Sequence, residues 1–286
     1  MNPNQGNDAG PRRVSVSDML KRWLDAWPVS VVSGQSWRKL HSPTLFEWGR
    51  ALQSNPKHWP QAVVDARGLA GLEPVNAWHQ SLLANHQQIA RLDLGAGSRM
   101  TGARKSHVRI SDLARTSLTP HAHVHALCRW LMTVSPEGRF LELGTSLGTT
   151  SACVAAAGWQ VETWEGCQQT LSVAQQGWEM LGLTSRIASK CGDFRELIQR
   201  LEETDGWDVV YVDGLHLESA TSQLVDALAQ RTKVGMIVDD VAWSPGMHRA
   251  WQSLQHREEW RVSFSWRGRG FLVKAPHMER QAFRLA

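Results

Sequence analysis

The sequence predicts an α/β fold with a mostly parallel sheet of seven strands that ends in an antiparallel hairpin. From residue 139 onward, short apolar runs alternate with amphipathic segments of helical length, which is typical of parallel strands covered by helices on both faces. After the last amphipathic segment, two extended runs are joined by Arg-Gly-Arg-Gly, and this tight glycine-containing connection predicts a hairpin. The seven runs are RFLEL, WQVETWE, SRIAS, DVVYVD, VGMIVDD, WRVSFSW and GFLVK.

The first 118 residues predict a separate region. Residues 1–13 are polar and rich in Asn, Gly and Pro, which predicts a disordered tail. Residues 14–118 predict a helical extension, because apolar residues recur there at helical spacing. Residues 119–286 are expected to form the α/β domain, starting with a helix from Pro120 to about Thr133 that Thr119 caps. The helices expected in the extension cover residues 15–27, 42–53 and 75–92.

Composition excludes several classes of protein. No run approaches the roughly 20 apolar residues that cross a bilayer, and the N-terminus lacks the apolar centre of a signal peptide, so a cytoplasmic protein is expected. The net charge is only +4 and the sequence contains no long basic run, so nucleic acid is a disfavoured partner. Most of the 15 tryptophans are expected to fill the core. The four cysteines form no CxxC pair and are interpreted as reduced and structural.

The loop after the first apolar run has the form E-x-G-x-x-x-G. Glycines at 144 and 148 let backbone N–H groups approach a ligand at the carboxyl end of the strand. In this loop the chain resembles the S-adenosylmethionine-dependent methyltransferases. The resemblance implies a Rossmann-like class I methyltransferase fold with S-adenosylmethionine as cofactor. It places the first cofactor-binding residues at Glu142, Gly144, Thr145, Ser146 and Gly148.

The next two loops extend this resemblance. Glu165 ends the second run about 20 residues further on, where the fold places a carboxylate for the ribose hydroxyls. The alternative is a solvated carboxylate at the end of a strand. Gly192, Asp193 and Phe194 match the family's loop at the adenine, with Asp193 reaching the exocyclic amine. Asp193 equally fits the N-cap of the following helix.

Acidic residues follow the fourth and fifth runs. Asp213, Asp239 and Asp240 would repel one another unless a cation or a proton were shared. The arrangement is similar to the cation-dependent small-molecule O-methyltransferases, which implies Mg²⁺, although Asp240 stands where that family has Asn and also fits a cap or a loop anchor. His216 and Asp213 are the catalytic candidates, with His216 as base. The alternative for His216 is a residue that closes the turn.

Two further histidine- and glycine-containing segments imitate ligand sites. Residues 93–98, DLGAGS, look like a cofactor loop but precede a polar, basic segment and are interpreted as a loop packed over the site. Of His121, His123 and His125, only the first and last share a helical face. With no third ligand near in sequence, a solvated helix face is preferred over a metal site.

A wider resemblance, over roughly residues 35 to 275, is to bacterial class I methyltransferases known mainly from sequence. Within it, Ala242 replaces an expected His. The leading hypothesis is O-methylation of a small hydroxylated acceptor. The alternative is a non-catalytic scaffold of the same fold that uses its Trp-rich helical region as a partner surface. A homo-oligomer stays open.

Overall fold

The computed structural model describes residues 36–53, 71–92, 105–203 and 206–285. Its centre is an eight-stranded sheet with the strand order β10-β8-β9-β7-β6-β3-β4-β5. Strands β3 to β7 run parallel, β9 runs antiparallel to both β7 and β8, and β10 runs parallel to β8. The strands of this sheet are β3 (Arg139–Leu143), β4 (Gln160–Glu165), β5 (Ile187–Cys191), β6 (Trp207–Val212), β7 (Thr232–Val238), β8 (Val262–Trp266), β9 (Arg269–Val273) and β10 (Gln281–Leu285).

The α/β fold with its terminal hairpin is therefore confirmed, with one strand more than expected. The hairpin turn is shorter than the predicted connection, since only Arg267 and Gly268 form it and both have positive φ. Arg269 already belongs to β9. Strand β10 was missed because only its last residue is buried, so it lacks the continuous apolar run of most other strands.

Helices cover the sheet and extend it toward the N-terminus. A short 3₁₀ turn at Trp37–Lys39 precedes them. The helices are α1 (Pro43–Gln53), α2 (Leu72–Ala84), α3 (Ile110–Ser117), α4 (His121–Val134), α5 (Thr149–Ala156), α6 (Gln168–Met180), α7 (Phe194–Gln199), α8 (Glu218–Ala229) and α9 (Pro245–Leu254). None of the described helices is long and apolar enough to cross a membrane.

The helix expected over residues 75–92 is wrong in its second half. Helix α2 ends at Ala84, where Asn85 has extended backbone and its side-chain Oδ1 accepts a hydrogen bond from the Gln87 N–H. The chain then forms β1 (Gln88–Leu92), which pairs antiparallel with β2 (Lys105–Arg109). The apolar residues of β1 have a spacing that also fits a helix, so the sequence pattern alone does not distinguish a continued helix from a strand. Pairing with β2 distinguishes them.

Helix α4 also begins differently from the prediction. It starts at His121 with no side-chain cap, and the Thr119 hydroxyl lies 3.4 Å from Nη2 of Arg269 instead. The tail at residues 1–13, the helix at 15–27 and the loop at 93–98 lie outside the described residues.

Tryptophan fills the core, as expected. Ten of the 15 tryptophans are buried among the described residues. In the core that the N-terminal helices share with the sheet, Trp48 contacts Trp130 edge-on at 6.1 Å and lies 6.2 Å from Phe264. The described part of the helical extension therefore packs onto the sheet as part of the same hydrophobic core.

Candidate active site

The carboxyl ends of five parallel strands bring the predicted loops to one edge of the sheet. Backbone hydrogen bonds fix the loops in register: the Gly144 N–H donates to Trp164 at 2.9 Å, and the Asp213 N–H donates to Leu143 at 2.8 Å. The Asp239 N–H continues the series, donating to the Val212 carbonyl at 2.9 Å. In a parallel sheet this edge is where ligands bind.

Gly144 permits a close approach between two of these loops. Its φ of +108° lies in a region that favours glycine, and a Cβ here would lie 2.1 Å from the carbonyl oxygen of Asp213. Gly148 begins α5 with φ +79°, and a Cβ there would lie 2.6 Å from Ala174 and 2.8 Å from Trp178. The first glycine joins the loops after β3 and β6, and the second lets α5 pack tightly on α6.

Glu165 ties the glycine loop to the end of β4. Its Oε2 accepts from the Ser146 N–H at 2.9 Å, and its Oε1 accepts from the Cys167 N–H at 3.0 Å. Burial raises the pKa of Glu165, and these two hydrogen bonds oppose the rise. The carboxylate is therefore held in a fixed orientation beside the loop, with lone pairs left for further donors.

Two hydroxyl groups at this loop have no hydrogen-bond partner in the described part of the chain. They are Ser146 Oγ and Thr149 Oγ1, both shielded from solvent at the start of α5. A buried hydroxyl without a partner is costly, so these atoms fit a polar ligand that lies over the N-terminus of the helix.

Glu142 lies beneath the loop, with 1% of its surface exposed. Its Oε2 accepts hydrogen bonds from the hydroxyls of Ser151 and Thr163. Burial raises the pKa of Glu142 to about 8, while the two hydroxyls lower it. Thr145 joins the same network through a 2.6 Å contact between its hydroxyl and that of Thr163. These predicted site residues support the loop from below.

In the loop after β5 the structure shows the capping role considered for Asp193, while its role at the adenine stays a prediction. Asp193 accepts the Arg195 N–H at 2.9 Å as N-cap of α7 and forms an ion pair with the same residue's guanidinium at 2.5 Å. The Arg195 hydrogen bond lowers the pKa of Asp193. Phe194 is buried against Gly214, where a Cβ would lie 2.6 Å from its ring. Gly192 precedes this cap with φ +153°.

Asp213 and His216 face each other above β6. His216 Nε2 lies 3.8 Å from Asp213 Oδ1, and about a fifth of each side chain is exposed. Burial raises the pKa of Asp213 well above its ordinary value, and the neighbouring Asp239 and Glu142 raise it further. The His216 ring lies 6.0 Å from that of Trp243. The pair is therefore placed at the cleft with a partly exposed imidazole.

Asp239 is engaged in a buried ion pair that sequence reasoning missed. Its Oδ2 accepts from the Tyr211 hydroxyl and from Arg269 Nη2, the latter at 3.2 Å, and only 8% of its side chain is exposed. Its Oδ1 accepts from the Asp240 N–H at 2.8 Å. The available signals were the single Tyr of the chain within an apolar strand, and an Arg that had been assigned to a turn.

The three aspartates predicted as metal ligands are not clustered in the structure. Among the described residues, the only group of three or more possible ligand side chains within 4.8 Å of one another is His121, His125 and Cys153. Asp213, Asp239 and Asp240 do not form such a group. The guanidinium of Arg269 pairs with Asp239, so the protein itself supplies a positive charge to one of the three carboxylates, and Mg²⁺ binding by the set stays a prediction.

Comparisons with known proteins agree with this geometry. Residues 141–241 match the family model of a methyltransferase domain. The solved structure of cofactor-bound Rv0187 from MTB is 18% identical with a TM-score of 0.51, and the alignment covers 78% of this chain and 99% of that chain. No curated protein matches the sequence significantly.

Two solved O-methyltransferases match over a shorter part of the chain. TomG from Streptomyces achromogenes, involved in tomaymycin synthesis and in complex with SAM, is 17% identical, with a TM-score of 0.47 and coverage of 56% of this chain and 83% of that one. The O-methyltransferase from Bacillus cereus in complex with SAH is 18% identical, with a TM-score of 0.40 and coverage of 47% and 72%. The match over residues 141–241 shows a similarity to methyltransferase domains, and the likeness to Rv0187 supports the Rossmann-like α/β fold that the sheet topology shows.

Proposed function

We propose that this chain is an S-adenosylmethionine-dependent methyltransferase that O-methylates a small hydroxylated acceptor. The observation that carries the proposal is the Glu165 carboxylate, held by the N–H groups of Ser146 and Cys167 beside two unpartnered hydroxyls. A carboxylate and a helix N-terminus at adjacent strand ends suit a ligand with a ribose and a charged tail.

In this proposal, Glu165 accepts hydrogen bonds from the ribose hydroxyls, while Ser146 and Thr149 bind polar groups of the cofactor over α5. Phe194 and Gly192 form the wall on the adenine side. Asp193 contributes by capping α7 and so fixing this wall, since its carboxylate is already paired with Arg195. When bound, S-adenosylmethionine supplies an electrophilic methyl group on a sulfonium.

Proton transfer is assigned to the Asp213 and His216 pair. As the acceptor oxygen bonds to the methyl carbon and the carbon–sulfur bond breaks, the hydroxyl proton passes to the imidazole of His216. Asp213 Oδ1, 3.8 Å from Nε2, stabilises the imidazolium and fixes the ring orientation. The products are the methyl ether, S-adenosylhomocysteine and one proton, which the pair releases to solvent.

The proposal contains no step through Mg²⁺. Asp239 is bound by Arg269 and Tyr211, and replacing that guanidinium by a metal would leave a buried cation without its partner. Asp240 has positive φ and follows Asp239 in the turn after β7, which supports a role in shaping the loop.

The scaffold alternative requires tryptophans exposed on the helical extension. Trp48 and Trp78 belong to α1 and α2 of that region, and both are buried with 6% of their surface exposed. The described tryptophans therefore favour core packing over a partner surface.

Isothermal titration with S-adenosylmethionine and S-adenosylhomocysteine tests the proposal. Wild-type protein is expected to bind both, and Glu165→Ala to bind at least about tenfold more weakly, because hydrogen bonds to the carboxylate are lost. Glu162→Ala is the matched control, since this residue of the same strand pairs with Lys190 instead. Absence of binding to wild-type protein, or unchanged affinity in Glu165→Ala, contradicts the proposed cofactor site.

A further inference from the structure

A second cluster of ligating side chains lies among the helices behind the glycine loop. His121 and His125 are one turn apart on α4, and Cys153 belongs to α5. The possible ligand atoms of these three residues all lie within 4.8 Å of one another. The sequence indicated only the first two, because the cysteine is 28 residues beyond His125 and joins them through packing of the two helices.

The structure contradicts the expectation of a solvated histidine face. The Nε2 atoms of both His121 and His125 are buried and have no hydrogen-bond partner in the part of the chain that the structure describes. Their ring centroids are 3.8 Å apart, and 1% of Cys153 is exposed. Two buried imidazole nitrogens without partners beside a buried thiol are costly, because each loses its hydrogen bonds to water.

The protonation states suit ligation by the imidazoles. Burial, together with the neighbouring His121 and Arg129, lowers the pKa of His125 to about 3, so the ring is neutral. Burial likewise lowers the pKa of His121, against the opposing charge of Glu73. Neutral imidazole is the form that binds metals. The pKa of the Cys153 thiol is raised by burial, so a cation must displace its proton.

We propose that His121, His125 and Cys153 bind a thiophilic divalent cation such as Zn²⁺. Two imidazole nitrogens and a thiolate are typical zinc ligands, with bonds of about 2.0–2.1 Å to nitrogen and about 2.3 Å to sulfur. Binding forms two metal–nitrogen bonds and one metal–sulfur bond, and it releases the thiol proton to solvent. A water molecule would complete the four-coordinate site, as it does at zinc sites with three protein ligands.

A cation bound by these three residues would link α4 to α5, the helix that follows the glycine loop. Cys153 follows Thr149 by one helical turn on α5, so a bound cation would fix the helix that carries the proposed cofactor site. This site is separate from Asp213 and His216 and does not depend on the proposed methyl transfer.

Titration of the full chain with Co²⁺ alone, after chelation and dialysis, tests the site. Wild-type protein is expected to develop a thiolate-to-cobalt charge-transfer band with the visible bands of tetrahedral coordination, and Zn²⁺ should displace both. Cys153→Ser should lose the charge-transfer band, and His125→Gln should weaken Co²⁺ binding at least about tenfold.

Two controls separate this site from adventitious binding. Cys191→Ser removes an exposed thiol and His256→Ala removes an exposed imidazole, and both variants should retain the wild-type spectrum. Far-ultraviolet circular dichroism checks that each variant is folded. If Cys153→Ser does not fold, the Co²⁺ affinity of His125→Gln tests the site. No charge-transfer band in wild-type protein, a band that survives in folded Cys153→Ser, or an unchanged Co²⁺ affinity in folded His125→Gln overturns the proposal.

Discussion

Glu142 makes the stability of the fold depend on pH in a direction opposite to that of most carboxylates. Its pKa is raised from 4.5 to about 8, because burial between β3 and α5 disfavours the charged form more than Ser151 and Thr163 stabilise it. The folded state therefore keeps a proton that the unfolded state has lost. This stabilising contribution is complete below pH 4.5 and is lost as the pH rises to about 8. At 1.36 kcal/mol for each pKa unit, the loss is about 5 kcal/mol.

Glu142→Gln replaces the protonated acid by a neutral group of the same shape and should remove this dependence. Urea unfolding measured from pH 5 to pH 9 gives the free energy of unfolding by linear extrapolation. The variant should resemble wild-type protein at pH 5 and exceed its stability by several kcal/mol at pH 9. Glu162→Gln, on the adjacent strand and paired with Lys190, is the control and should keep the wild-type slope. Parallel curves for wild-type protein and Glu142→Gln would refute the reasoning.

Three further predictions concern the strand ends. In the proposed mechanism the carboxylate form of Asp213 is required and its pKa is raised, so the kcat of methyl transfer should fall on acidification well above pH 3.8, and Asp213→Asn should lower kcat at every pH. An acidic limb near pH 4, or an unchanged kcat in Asp213→Asn, contradicts the assignment. Arg269→Met leaves Asp239 buried without its cation and should lower the free energy of unfolding in urea by about 3–5 kcal/mol. Substitution of the exposed Arg267 by Met should lower it much less, and equal losses would show that the ion pair is not the cause. Gly144→Ala combines backbone strain with a Cβ placed 2.1 Å from the Asp213 carbonyl oxygen, and it should destabilise the fold by several kcal/mol. Gly182 also has positive φ but open space around it, so Gly182→Ala should cost less, and similar melting temperatures of the two variants would exclude the clash.

The succession of parallel strands along the chain was predictable, because most of them are short apolar runs followed by a loop with a recognisable motif. Gly144, Glu165 and Asp213 all follow such runs, so their convergence at one edge follows from the topology alone. The end of α2 and the strand β1 were not predictable in the same way. Ile89 and Leu92 have helical spacing, and their extended conformation depends on pairing with a strand that begins 13 residues beyond Leu92.

Contacts between distant side chains were the second limit. The role of Asp193 could be stated only as two alternatives, because a carboxylate that caps a helix and one that binds a ligand have the same sequence. The hydrogen bond from the Arg195 N–H, which establishes the cap, is visible only in the structure. The histidines of α4 were misinterpreted for a similar reason. Their environment depends on Cys153, which helix packing brings within ligand distance.

The acidic strand ends show how a correct electrostatic premise left out a cation that the protein itself supplies. The pKa of Asp213 is raised by its burial and, next, by the charge of Asp239, as the premise of mutual repulsion requires. The resemblance to the cation-dependent O-methyltransferases implied Mg²⁺ as the compensating charge. The structure supplies Arg269 from β9, which lies beside β7 in the sheet although it is 30 residues from Asp239. A guanidinium with fixed hydrogen-bond directions holds Asp239 in place, and this leaves Asp213 as the partly exposed acid beside His216 at the cleft.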